Sequence, residues 1–359
     1  AGGCETGRLA AALRRMGFDD VFDTNWGADL TIMEEGTEFL KRFKAVLSGG
    51  VATLPMTTSC SPGWIQFIEH TYPTELDHLS SCKSPHTMFG AVIKSYYAKK
   101  LGKKPEDMYV VSVMPCTAKK TEIARPEMAN DGVPNVDAVI TTRELGDMIK
   151  TMGIDFLSLP EEEFDAPMGL STGAADIFGV TGGVMEAALR TVYEVVTGRE
   201  LPFPNLHVSP IVGLEQIREA TIKLENVLPE WKAAEGFEVK IAVTSGYAGA
   251  RKLMDQVKAG TSPYHFIEVM GCPGGCATGG GQPRPKQDIN IVRKKRIDAL
   301  YGEDERKVLR KSHENPSLQE FYKEWGEPGG HASHEYLHTH YVARGLYNEL
   351  TDEHFVVSK

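Results

Sequence analysis

Short apolar runs that end in cysteine are the feature that most limits how this chain can fold. The runs are 54–57, 108–114 and 266–270, and they lead to Cys60, Cys116 and Cys272. Each run is apolar or β-branched in character, which predicts a buried strand. Ligands of open α/β sheets bind at the carboxyl ends of the strands. The sequence therefore predicts one shared site at these cysteines.

Segments of helical periodicity separate the strands and predict an α/β fold. Helices are expected at 7–17, 32–47, 87–99 and 248–259 and further strands at 136–140 and 239–243, while 20–32 is expected to be strand, loop and the lead into a helix. Alternating strands and helices form mostly parallel sheets with helices on both faces. We expect two lobes of small mostly parallel sheets flanked by helices, over 1–130 and 131–290. The site should lie in the cleft between them, and 291–359 should form a helical tail.

Charge and hydropathy exclude several classes of protein. The net charge of −10 over 359 residues argues against nonspecific nucleic-acid binding. The sequence has no apolar stretch of the length that spans a bilayer. Without a recognisable secretory signal, a cytoplasmic location is expected. The 6 cysteines are too sparse for a disulfide scaffold.

The loop after the last of these strands has the composition of a cluster site. Cys272 and Cys276 are separated by Pro-Gly-Gly and followed by more glycines. Thiolates are soft ligands, and glycine lets backbone N–H groups approach cluster sulfurs. An iron–sulfur cluster is therefore expected here. Cys4 and Cys82 lie in no loop of this kind and are expected to be buried, inert thiols.

Three long segments together resemble, in order and spacing, the signature segments of the iron–iron (FeFe) hydrogenases. They are 58–64 (TSCSPGW), 114–120 (MPCTAKK) and 266–283 (FIEVMGCPGGCATGGGQP). Further segments similar to that family's catalytic domain lie at 17–19, 27–35, 137–145, 178–186 and 311–315. The likeness covers nearly the whole chain. A lone CxxxC would be weak evidence, whereas three ordered segments are specific.

The resemblance implies an H-cluster. This is a 4Fe–4S cubane joined through one cysteine to a two-iron subsite that bears carbon monoxide, cyanide and a bridging azadithiolate. It interconverts dihydrogen with two protons and two electrons, so the expected activity is that of a reversible hydrogenase. The implied cubane ligands are Cys116, Cys272 and Cys276, with Cys276 as the bridge.

The resemblance also implies the residues around the two-iron subsite. Lys119 would pair with a cyanide, as suits a point-charge donor. Met114, Pro115 and Met270 would line the subsite. The two methionines could equally be ordinary core residues, because methionine fills irregular gaps in any core.

A proton path is the third implication of the resemblance. Cys60 would face the azadithiolate, and Glu35, Ser80 and Glu38 would lead from it to the surface. Glu35 and Glu38 are three apart on an expected helix and so share a face. Taken without the resemblance, this spacing favours a solvated acidic face.

Ser61 departs from the family pattern. The commonest first segment has adjacent cysteines, of which the first carries protons and the second binds the cubane. Here the second position is serine. Either Ser61 binds the cubane through oxygen, or Cys60 becomes the ligand and the proton path changes. A serine ligand is harder than a thiolate and should lower the potential of the cluster.

Expected partners follow from the same resemblance. Family members carry an apolar strand before the helix at 7–17 and usually ferredoxin-like cluster domains before that, so we expect a truncated or incomplete catalytic chain. Electrons would come from a ferredoxin or an electron-transfer subunit. Maturation proteins would insert the two-iron subsite, in an anaerobic cytoplasm.

Three other functions fit parts of the sequence. A cubane-only protein, either an assembly factor or a redox or hydrogen sensor, would need the cubane cysteines but neither Lys119 nor Glu35. The segment 334–338 (HEYLH) has the HExxH pattern of zinc proteases, but neither His340 nor His354 is a convincing third ligand. A dinucleotide-binding protein would need G-x-G-x-x-G at the start of a helix after its first strand, which is lacking.

Overall fold

The computed structural model describes residues 3–202 and 217–345. Its strands are β1 (Met56–Thr57), β2 (Val111–Met114), β3 (Ala129–Asn130), β4 (Val133–Pro134), β5 (Ala138–Thr141), β6 (Ile217–Lys223), β7 (Glu238–Ser245) and β8 (Phe266–Met270). Its helices are α1 (Thr6–Arg15), α2 (Thr24–Leu47), α3 (Pro62–Thr71), α4 (Pro85–Val92), α5 (Ala98–Lys100), α6 (Lys119–Glu122), α7 (Thr142–Thr151), α8 (Gly173–Asp176), α9 (Gly183–Thr197), α10 (Tyr247–Lys258), α11 (Ile289–Arg306), α12 (Pro316–Trp325) and α13 (His331–Tyr336). His354, considered above as a zinc ligand, lies outside the described residues.

The larger sheet has the strand order β1-β8-β7-β6. β8 runs parallel to both β1 and β7, and β6 is antiparallel to β7. All residues of β8 are buried, as expected for a central parallel strand that is covered on both faces. Because β1 and β8 run in the same direction, the segments that carry Cys60 and Cys272 leave the sheet at the same edge.

A second, parallel sheet pairs β2 with β5, in register from Val111 opposite Ala138 to Met114 opposite Thr141. The expected α/β fold of small, mostly parallel sheets is thereby confirmed. Both sheets combine strands from before and after residue 130. The strand order therefore gives no support to a boundary there, and the domain bounds at 130 and 290 stay a prediction.

Helices cover both faces of the larger sheet. On one face, α2 and α9 pack against it through a core that includes Phe39, Val192 and Phe266. The rings of Phe39 and Phe266 stack with their centroids 5.0 Å apart. On the other face, α3 and α10 pack through residues such as Trp64 and Leu253. Each fully buried side chain of this size is worth about 2–3 kcal/mol, so the strand ends near the site have a rigid base.

No strand forms within 20–32, so that part of the expectation was wrong, whereas the expected loop and lead into a helix are present. α2 begins at Thr24, and the side chain of Asp23 caps it by accepting a hydrogen bond from the N–H of Asn25. The single long helix brings Glu34, Glu35 and Glu38 beneath the ends of the strands. Within residues 3–202 and 217–345, no helix combines the length and the apolar character needed to cross a bilayer.

Candidate active site

The loop after β8 lies against the loop after β2. Gly281 donates its N–H to the carbonyl of Pro115 at 2.9 Å and accepts a hydrogen bond from the N–H of Arg143. A Cβ atom at Gly281 would lie 2.7 Å from the backbone nitrogen of Cys116. This approach requires glycine, and it brings Cys116 to the loop that carries Cys272 and Cys276.

The three thiols on these loops influence one another. Burial raises the pKa of Cys276 to about 11, and the neighbouring Cys116 and Cys272 add to the rise. Burial and then Cys116 also raise the pKa of Cys272. Thiols that resist ionisation in this way are stabilised as thiolates when iron binds among them. Together with the close glycine backbone, this donor set fits an iron–sulfur cluster.

Cys60 and Ser61 face different parts of the site. Cys60 packs against the core beside α2, and burial followed by the charge of Glu35 raises its pKa well above the ordinary thiol value. Ser61 has an extended backbone (φ −97°, ψ 111°), and successive side chains of an extended chain point to opposite sides. The Ser61 Oγ atom lies 3.0 Å from the position of a Cβ atom on Gly271, the residue before Cys272.

Glu35 is a buried carboxyl behind Cys60. It is 1% exposed, and burial raises its pKa to about 8 despite a hydrogen bond with Ser80. Among the described residues, its Oε2 atom has no hydrogen-bond partner. Ser80 also donates from Oγ to Oε2 of Glu38, at 3.3 Å. Cys60, Glu35, Ser80 and Glu38 are therefore brought together in the expected order.

Arg42 lies at the surface, next to Glu38, the last residue of this series. It was not predicted from the sequence. Its Nη2 atom donates to Glu38 Oε1 at 2.6 Å and to the carbonyl of Leu79 at 2.9 Å. The Arg42 side chain is 19% exposed. The available signal was the spacing of Glu38 and Arg42, four residues apart on one helix.

Lys119 is a buried cation at the centre of the site. Its Nζ atom donates to the carbonyl of Cys60 at 2.8 Å and to Glu122 Oε2 at 2.6 Å. Burial opposes the charge of Glu122, but Lys119 and His86 hold the pKa of this carboxyl well below its ordinary value. Glu122 was also missed, although it follows Lys119 by three residues at the start of a helix.

The expected lining residues have unequal surroundings. Met270 is 3% exposed and belongs to the core beside Phe266, whereas Met114 is half-buried at the end of β2, next to Pro115. Glu268, another residue missed from sequence, is fully buried, and its pKa is raised by burial to about 7. It accepts hydrogen bonds from the first turn of α9. A charged residue inside a buried strand was the signal for it.

Two expectations outside this site need correction. Cys4 is exposed, not buried, while Cys82 is fully buried as expected. The HExxH pattern does not lie on one helix, because α13 ends at Tyr336. Within residues 3–202 and 217–345, His334 belongs to no set of three metal-binding groups. The structure thus gives no support to a zinc protease.

Mostly parallel sheets whose strand ends carry clustered thiols beside a buried carboxyl define an α/β iron–sulfur protein. The C-terminal domain model of the iron-only hydrogenase large subunit matches residues 3–280, and the iron hydrogenase small subunit model matches residues 290–344. The chain belongs to the iron-only hydrogenase family. Membership in this family implies an iron–sulfur cofactor.

Several proteins of this family are similar over most of the chain. A subunit of the NADP-reducing hydrogenase of Solidesulfovibrio fructosivorans is 52% identical, over 94% of this chain and 56% of that protein. Iron hydrogenase 1 of Clostridium pasteurianum is 44% identical, with the same coverage of 94% and 56%. The chain therefore spans little more than half the length of these relatives.

A solved FeFe hydrogenase, in work on stepwise H-cluster assembly, matches with a TM-score of 0.83 and 46% identity. The match covers 95% of this chain and 88% of that one. A cytosolic Fe–S cluster assembly factor of Xenopus tropicalis is more distant, at 30% identity over 94% of this chain and 69% of that protein.

Proposed function

We propose that this chain catalyses the reversible reduction of protons to dihydrogen at an H-cluster. The observation that carries the proposal is the buried line from Cys60 through Glu35 and Ser80 to Glu38 and the surface. Among the described residues, the Oε2 atom of the buried Glu35 carboxyl has no hydrogen-bond partner. Such an atom is costly to a fold, and a protein that only holds a cubane has no use for it behind its thiols. The cubane-only alternative also leaves the buried Lys119 without a purpose.

The cofactor would be held by residues from both sheets. Cys116, Cys272, Cys276 and Ser61 would bind the cubane. When bound, the H-cluster supplies the metal chemistry that joins protons and electrons into dihydrogen, and the protein supplies orientation and charge.

The residues around the two-iron subsite have separate tasks. Lys119, held by Glu122, would place one fixed positive charge beside a cyanide. Met114, Pro115 and Met270 would exclude water from the subsite.

Ser61, and not Cys60, is proposed as the fourth cubane ligand. The Ser61 hydroxyl lies beside Gly271, the residue that precedes Cys272. The Cys60 thiol instead lies beside Glu35, whose charge contributes to its raised pKa. The two neighbours thus divide the tasks of ligand and proton carrier.

Protons would move along side chains of this chain. A thiol with a raised pKa keeps its proton at neutral pH, so Cys60 can donate and be refilled. The pKa of about 8 at Glu35 lets that carboxyl gain or lose a proton near neutral pH, which is what a proton carrier needs. The Ser80 hydroxyl then links Glu35 to Glu38, which Arg42 holds at the surface.

The electron partner is proposed to be a ferredoxin or an electron-transfer subunit. The match of residues 290–344 to a small-subunit model and the similarity to a subunit of an NADP-reducing enzyme support a multi-subunit assembly. The two-iron subsite would be inserted by maturation proteins. An anaerobic cytoplasm stays the predicted location.

Reconstitution tests this proposal. The chain is loaded anaerobically with iron and sulfide and then with a synthetic two-iron complex, and infrared spectra and hydrogen evolution from reduced viologen are recorded. Bands from carbon monoxide and cyanide, together with turnover, are expected. Cys276→Ala should lose both, and the exposed Cys4→Ala should keep both. A cubane signal without such bands would favour the cubane-only alternative.

A further inference from the structure

A second group of potential metal-binding side chains lies around Glu38, at the surface end of the proposed proton path. The Cys82 Sγ atom is 3.9 Å from Glu38 Oε2 and 4.0 Å from His338 Nδ1. All three potential ligand atoms lie within 4.8 Å of one another. We propose that Glu38, Cys82 and His338 form a binding site for one Zn²⁺ ion, separate from the cluster cysteines.

The imidazole of His338 is oriented as in known metal sites. Its Nε2 atom lies 3.0 Å from Glu34 Oε2. Glu34 also accepts hydrogen bonds from the Tyr322 hydroxyl, the Ser333 hydroxyl and the N–H of Gly329, so its carboxylate acts as an acceptor. Nε2 therefore donates to Glu34, and Nδ1 is the ring nitrogen that faces Ser81, Cys82 and Glu38. A carboxylate behind the ligand histidine is the usual support of a zinc site.

Glu34 itself is fixed from several sides. It accepts hydrogen bonds from Tyr322 at 2.6 Å, from Ser333 at 2.8 Å and from the N–H of Gly329 at 2.8 Å. These partners lie on or beside α12 and α13, while Glu34 and Glu38 are on α2. The site thus ties the C-terminal helices to the helix that carries the proposed proton path.

The distances and charges suit zinc. Zinc bonds of about 2.3 Å to sulfur and about 2.0 Å to nitrogen place neighbouring ligand atoms about 3.5 Å apart. The observed separations of 3.9 and 4.0 Å need only a small contraction. On binding, the Cys82 thiol loses its proton to solvent and forms an S–Zn bond. The thiolate and the Glu38 carboxylate then supply two negative charges to the ion, and Glu38 also pairs with Arg42.

Ser81 occupies the centre of the group without metal. Its Oγ atom lies 2.9 Å from Glu38 Oε2 and 2.7 Å from His338 Nδ1. The ion would take over this bridging position. His334 is exposed, and its ring centroid lies 4.7 Å from that of His338.

The consequence for turnover rests on the proposed function, whereas the site itself does not. A Glu38 carboxylate bound to zinc cannot carry protons between Ser80 and solvent. Zinc is therefore expected to slow proton reduction reversibly, and a chelator should restore it.

Crystals of the cubane-loaded chain soaked in Zn²⁺ alone test the site directly. Loading first occupies the cluster cysteines, which would otherwise bind zinc. Diffraction at the zinc absorption edge is expected to give a peak within bonding distance of Cys82 Sγ and His338 Nδ1. No peak there, or peaks only at exposed residues such as His331, would overturn the proposal.

Calorimetric titration of the same protein with Zn²⁺ gives a second measurement. Cys82→Ala and His338→Gln should weaken binding at least about 100-fold, and Glu34→Gln about 10–100-fold. The matched control is His331→Gln, at a 97% exposed side chain, and it should bind as wild type. Wild-type affinity in every variant would refute the site. A zinc peak in a protein that evolves no hydrogen would leave the site standing and refute the proposed function. Hydrogen evolution with no zinc peak would do the reverse.

Discussion

Cys60 and Ser61 are sequence neighbours, but the extended backbone directs their side chains to different parts of the site. Cys60 meets a buried carboxyl, and Ser61 meets the loop of Cys272. The sequence left open which of them would be the cubane ligand, because a two-residue pattern does not reveal which side chain faces which loop. Arg42 was missed for a related reason, since its carbonyl partner Leu79 is remote in sequence.

Substitutions at residues 60 and 61 separate the two roles. Ser61→Cys replaces a hard oxygen by a soft thiolate, so the reduction potential of the reconstituted cubane should rise by tens of millivolts or more. A redox titration followed by electron paramagnetic resonance measures it. Cys60→Ala is the matched variant and should leave the cubane signal intact. Loss of the cubane in Cys60→Ala, with no change in Ser61→Cys, would assign the ligand to Cys60.

At the scale of elements, the strands were the part of the fold that could be predicted from the sequence. β2 and β8 are mostly apolar, with Ser112 and Glu268 as their polar residues, and short runs of this composition predict strands. α2 was harder, because its start has an apolar and β-branched stretch (Leu30, Thr31, Ile32) that also fits a strand. Its conformation is set by the Asp23 cap and by close packing at Gly27, where a Cβ atom would lie 2.7 Å from the carbonyl of Pro85.

The contact between the loops after β2 and β8 can be broken selectively. A methyl group at Gly281 would lie 2.7 Å from backbone atoms of Pro115 and Cys116, so Gly281→Ala must push the loops apart. Iron bound per chain after reconstitution should fall to less than half, and the melting temperature should drop by several degrees, as for about 1–3 kcal/mol of overpacking.

Gly280→Ala is the control for this change. Its methyl group would meet only the Thr117 Oγ1 atom, at 3.2 Å, and that side chain can turn aside. Iron content and melting temperature should stay near wild type. Equal losses in the two variants would mean that the closeness of the loops is not what assembles the site.

At the scale of the molecule, the site exists because two sheets with interleaved strands meet. Cys60 and Cys272 follow adjacent strands of one sheet, and Cys116 follows a strand of the other. The sequence predicted this convergence, because strand ends of parallel sheets carry ligands. The charges that support the site were not predictable, because Glu122 acquires its partners Ser84 and Thr87 only through tertiary packing. Buried carboxyls then make the stability of the whole chain depend on pH.

Glu35 gives that dependence a definite sign. Its pKa is 4.5 in an ordinary setting and about 8 in the fold, so between these values the folded chain holds a proton that the unfolded chain has lost. The stability that Glu35 contributes is fully present below pH 4.5 and is lost as the pH rises through about 8. The Glu35→Gln side chain cannot ionise. The free energy of unfolding of this variant should therefore rise relative to that of wild type by up to about 5 kcal/mol between pH 5 and 9.

Urea unfolding of the cluster-free wild type and of cluster-free Glu35→Gln is measured between pH 5 and 9. The contributions of the other titrating groups cancel in the difference between the two free energies of unfolding. Glu268→Gln offers a second comparison, because burial raises the pKa of Glu268 only to about 7, so its loss of stability should be smaller and should end about one pH unit lower. A difference between wild type and Glu35→Gln that does not change with pH would mean that water reaches Glu35. The carboxyl would then have no raised pKa with which to exchange protons with Cys60.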